Sequence, residues 1–97
     1  MMKLHDLIEI VDDENSFLAF VEALKKDREN AIALEKKNPS SPHDSDAGGW
    51  ENVTIESFLE AAHAWAIDSD FGASQGLSSD NIWKKMATFL YCGKIYE

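Results

Sequence analysis

Large apolar side chains recur along this chain at spacings of three and four, and nowhere in sustained alternation. Leu4, Leu7, Ile8 and Val11 make a short first stripe, and Phe17, Phe20, Val21 and Leu24 a second. Ile55, Phe58, Leu59, Ala62, Trp65 and Ala66 make a third; Ile82, Trp83, Met86, Phe89 and Leu90 make a fourth. A period near 3.6 is that of a helix with one buried face, whereas a half-buried strand alternates with period two. Only Val53-Thr54-Ile55 and Lys94-Ile95-Tyr96 offer even a brief strand pattern. The spacing therefore predicts an all-α fold, a small bundle of three to four helices in a single domain over residues 1–97.

The polar residues between the stripes place the helix ends. Asp12, Asp13 and Asn15 offer N-caps to a second helix from about residue 14, after a first over roughly residues 3–11. Asn38-Pro39 stops that helix, because Pro lacks the amide donor and disfavours helix in the residue before it. Residues 39–49 hold Pro, Gly, Ser, Asp, His and Ala and no large apolar side chain. Such a segment cannot offset its ordering entropy by burial, so a long mobile loop is expected at about 38–50. Thr54 is expected to cap a third helix from Ile55 to about Asp68, and Ser78 or Ser79 a fourth. Gly93 is expected as a left-handed C-cap, and the tail after it is expected to pack. Trp65, Trp83, Phe58 and Phe89 all fall on the last two stripes and are expected to share one core. Arg28 falls on the continuation of the second stripe, either laid along the core edge towards an acid or facing a partner.

Charge is distributed unevenly. The whole chain of 97 residues carries 18 acids against 9 Lys and Arg, a formal net charge of −9. The span 38–80 holds eight of those acids and no Lys or Arg. Such a balance argues against gripping nucleic acid through phosphates, which needs clustered cations. The single cysteine excludes an internal disulfide and favours a reducing compartment. The first residues lack the apolar run of a signal peptide, and no stretch is long enough to span a membrane. A cytoplasmic protein is the expectation.

Motifs that carry chemistry are sparse. His5, His43, His63 and Cys92 show no CxxC or HxxxH spacing, so the common zinc sites have no basis here. His43-Asp44-Ser45-Asp46 lacks the rest of a calcium loop. Glu60-Ala61-Ala62-His63 has the Glu-x-x-His spacing of di-iron bundles but no second copy, and it reads as a surface ion pair. No nucleophile elbow or phosphate loop is present, and Cys92 reads as a buried, inert thiol. No enzyme activity, metal or cofactor is expected. Trp50, beside Gly49, reads as a plug on the core, with a partner anchor as the sharper alternative.

Residues 50–65 read W-E-N-x-T-x-x-x-F-L-E-A-x-x-x-W. The chain closes on Trp83, Ala87, Leu90-Tyr91, Gly93-Lys94 and Tyr96-Glu97. This pairing resembles a family of small bacterial proteins that carry a domain of unknown function, over most of residues 13–97. The Ser- and Asp-rich loop 40–49 departs from that pattern. The resemblance implies neither an activity nor a cofactor; by type, such small acidic proteins are similar to immunity proteins encoded beside toxins. Taken alone, Glu51 and Asn52 suit the amides at the start of the third helix, and Lys94 suits the dipole at the end of the fourth.

The functional expectation is a non-enzymatic, immunity- or antitoxin-like interaction module that binds a basic protein partner, with no nucleic acid or membrane, as a monomer or homodimer. An acidic field steers basic partners. The candidate partner-binding residues are Trp50, Glu51, Glu56, Glu60 and His63. The alternative is a small ligand- or metal-binding helical domain, or an enzyme, using Glu56, Glu60 and His63; these would then line a concave pocket.

Overall fold

A computed structural model describes residues 3–41, 47–78 and 80–97. Its helices are α1 (Leu4–Glu9), α2 (Glu14–Lys37), α3 (Ile55–Asp68) and α4 (Ile82–Ile95). Short 3-10 turns occupy Ala47–Gly49 and Ala73–Gln75, and no strand occurs among the described residues. The all-α bundle read from the stripes is the observed fold. None of these helices is long and apolar enough to cross a membrane.

Local chemistry explains the starts. The Asp13 carboxylate accepts from the Ser16 amide at 2.8 Å, and the Ser16 hydroxyl accepts in return from the Asp13 amide. Thr54 and Ser57 repeat this reciprocal arrangement at the head of α3. Ser78 does not cap α4, and Ser79 lies outside the described residues. Instead Asn81 Oδ1 accepts from the Lys84 amide at 3.0 Å, while its Nδ2 donates to the Val11 carbonyl at 2.9 Å. One side chain thus caps α4 and ties it to the end of α1, and this long-range bond selects among the candidate caps.

The centre of the loop expected at about 38–50, residues 42–46, lies outside the described residues, while its flanks carry bonds the composition did not suggest. The Glu35 carboxylate accepts from the Ser40 amide (2.9 Å), the Ser40 hydroxyl and the Ala47 amide (2.7 Å). These bonds, Ser40 first, hold the Glu35 carboxyl below the usual carboxylate range. Composition alone could not reveal an acceptor on the preceding helix.

α4 packs against α1, α2 and α3, most extensively against α3. The main core gathers Ile8, Val11, Phe20, Leu24, Ala31, Trp50 and Ala87, with Phe58 and Trp83 packed against it. Trp83 meets Phe17 with ring centroids 5.5 Å apart. Trp65, 2% exposed, belongs to a second nest: it packs edge-on against Phe71, which stacks on Phe89. The four aromatics expected in one core therefore divide between two. Phe71, which joins Trp65 to Phe89, follows Asp70 in left-handed backbone, at φ 51° and 52°. The buried Ser69 hydroxyl holds this turn by donating to the Trp65 carbonyl and accepting from the Gly72 amide.

Candidate functional site

The segment before α3 and the end of α4 meet over α2. Trp50 is 4% exposed, and its Nε1 donates to Asp27 Oδ2 at 2.9 Å. Lys94 Nζ donates to the same oxygen at 2.7 Å, with its side chain 9% exposed. Lys94 therefore pairs with an acid on α2 rather than with the α4 dipole. Its ammonium also lies 5.4 Å from the Trp50 ring centroid, and the Arg28 guanidinium lies 5.2 Å from it. Arg28 thus runs along the core edge, as its place on the stripe suggested. Trp50 plugs the core rather than standing out as an anchor.

Asn52 works on the opposite helix end from the one expected. Its Nδ2 donates to the Gly93 carbonyl (3.0 Å) and the Tyr96 carbonyl (2.9 Å), satisfying acceptors at the end of α4. The Glu51 and Asn52 amides both point at the Lys94 carbonyl. Gly93 is not a left-handed cap. It is a buried helical residue, and a Cβ there would stand 2.7 Å from the Phe58 ring. Phe58 itself stacks on Trp50 at 6.3 Å. α4 accordingly runs on to Ile95. The tail packs as expected: Tyr96 Oη donates to Asp68 at 2.6 Å, and this bond raises the phenol above its usual range. The two sequence clusters around Trp50 and Gly93 are thus two halves of one junction.

Beside this junction lies an apolar cleft of about 380 Å³ between α2 and α3. Leu24, Trp50, Phe58 and Leu90 line it from the core, and Lys25 and Arg28 line it from α2. Across from them Val53, Ile55 and Leu59 are 45%, 77% and 54% exposed. A second cleft, of about 540 Å³, is lined by α1, the 75–78 segment and the start of α4. Its polar groups serve folding: Lys84 pairs with Glu9 at 3.1 Å, Gln75 accepts from Trp65 Nε1, and Asn81 is engaged at both ends.

Glu56, Glu60 and His63 are exposed on the outer face of α3 and line neither cleft. Glu51 is exposed at the junction. Among the described residues no group of three or more His, Cys, Asp or Glu could hold a metal ion; His43, Asp44 and Asp46 lie outside that set. Cys92 is buried, and desolvation pushes its thiol up to about 11. That is the opposite of an activated nucleophile. Asp27 and Phe71 are the residues the sequence did not single out. Asp27 sits in a polar run, and only its distant partners mark it.

The fold and the junction define a small all-α domain closed by a Trp–Asp–Lys cluster. The chain belongs to the family of unknown function DUF7660, whose model matches residues 13–97. No curated protein and no solved structure matches it.

Proposed function

We propose that this chain is a non-enzymatic, cytoplasmic interaction module, of the immunity or antitoxin kind, whose partner is a basic protein. One observation carries the reading. All six described acids of the span 38–80, namely Glu51, Glu56, Glu60, Asp68, Asp70 and Asp80, are exposed, in a stretch with no Lys or Arg. On α3, Ile67, 66% exposed, shares that outer face, and Ile55 and Leu59, 77% and 54% exposed, border it on the cleft side. Large apolar side chains bordered by like charges suit a protein surface better than a small solute. The acids would steer and orient a basic partner, and the apolar groups would hold it.

Affinity capture from the source cell over a salt series tests this. Recovery of a basic protein that falls steeply as salt rises is the expected result. Recovery of only neutral or acidic proteins, indifferent to salt, would overturn it.

A further inference from the structure

α2 carries a second line of residues beside the one it buries. Leu18, Val21, Lys25, Arg28 and Ile32 follow one another at spacings of three and four, the spacing of a helix–helix seam. Leu18 is 54% exposed and Ile32 41%. Lys25, also exposed, marks the middle of the line. Val21, Lys25 and Arg28 form one wall of the 380 Å³ cleft, and the exposed Val53, Ile55 and Leu59 flank its other side. α2 and α3 each pack on α4 and leave this groove between them.

Resting on the interaction-module reading, we infer that the groove receives an amphipathic helix of the partner protein, about four turns long, apolar towards both ends and acidic at its centre. The length follows from the line itself, which covers 15 residues, a rise of about 21 Å at 1.5 Å per residue. The polarity follows from Lys25, exposed midway along the α2 wall, and from a lining that holds no acid in a chain of net charge −9. A second copy docked antiparallel through the same line would set Lys25 at its centre against its own kind, and like charges in an apolar groove oppose that pairing. A charged residue midway along an apolar seam also fixes register. A basic partner remains compatible, since its cations would meet Glu56 and Glu60 on the outer side of α3.

Two designed 18-residue helical peptides test the inference. Both carry the same apolar seam; one has Glu at the two central flanking positions and the other Lys. Fluorescence anisotropy against the full chain should show the Glu peptide binding about tenfold tighter or more. Lys25→Glu, at an exposed position, should keep the thermal midpoint and abolish or invert that preference. Leu59→Asp should weaken both peptides. Equal affinity for the two peptides, a preference unaffected by Lys25→Glu, or no binding at all would overturn the groove. Should both peptides fail while a basic partner is still retained in a salt-sensitive way, the groove falls and the module stands.

Discussion

Lys94 and Asp27 stand 67 positions apart in the chain and 2.7 Å apart in space, with Trp50 donating to the same carboxylate oxygen. The pair lies at the edge of the core: the Lys94 side chain is 9% exposed and that of Asp27 33%. Removing one member leaves the other partly buried without its charge partner, which is costlier than losing both. Asp27→Ala should destabilise the fold by about 2–4 kcal/mol, somewhat under the range for fully buried pairs. The double change Asp27→Leu with Lys94→Met should recover most of that. Urea unfolding of the two variants checks the ordering; a double variant weaker than Asp27→Ala would contradict it.

Gly93→Ala sets two effects against each other. Alanine in a helix interior is ordinarily about 1 kcal/mol better than glycine. Here its Cβ would meet the Phe58 ring at 2.7 Å, and that ring is backed by Trp50. Overpacking costs about 1–3 kcal/mol and should win. Gly93→Ala should therefore lower the unfolding midpoint, and adding Phe58→Leu should restore part of it. A rise in midpoint for Gly93→Ala alone would mean that the helices do not meet this closely.

Trp65→Ala empties the second nest. Trp65 is 2% exposed against Phe71 and donates to Gln75, so truncation should cost about 3–5 kcal/mol. A small domain has about 5–15 kcal/mol in all, so the variant should be marginal at 25 °C. A cooperative thermal transition at an unchanged midpoint would refute this packing.

Glu35 ties stability to acid pH. Its folded carboxyl lies below the ordinary value of 4.5, so its contribution is complete above that value. It is lost as the pH falls through the lower folded value. Glu35→Gln should flatten this part of the acid limb, read as unfolding free energy at several pH values between about 2 and 6. An identical acid limb in the variant would show that Ser40 and Ala47 are not held by this carboxylate.

The buried Cys92 thiol, pushed up to about 11, should react slowly in the native state. Alkylation by iodoacetamide at pH 8 should speed up sharply in denaturant. Fast native labelling would place the thiol at the surface.

Helix starts were legible where the deciding partner is local. Asp13 with Ser16 and Thr54 with Ser57 lie three residues apart, so a window of a few residues contains the whole cap. What the sequence concealed depends on distant partners. Asn81 caps α4 while bonded to Val11, and Glu35 reaches both Ser40 and Ala47. Gly93 reads locally as a helix stop, yet Phe58 makes it a contact point. The acids of α3 were visible from composition. The second line on α2 was hidden because Lys25 and Arg28 interrupt its apolar pattern.

The outer face of α3 is the centre of the functional account, and charge reversal there tests it most directly. Glu56→Lys with Glu60→Lys changes two exposed side chains away from the core, so the melting temperature should stay within a few degrees. Titration calorimetry would compare this variant and the wild type against the basic partner recovered from the source cell. The account predicts affinity lower by at least about tenfold at low salt, with the difference shrinking as salt rises. Equal affinity for the two proteins across the salt series would contradict it.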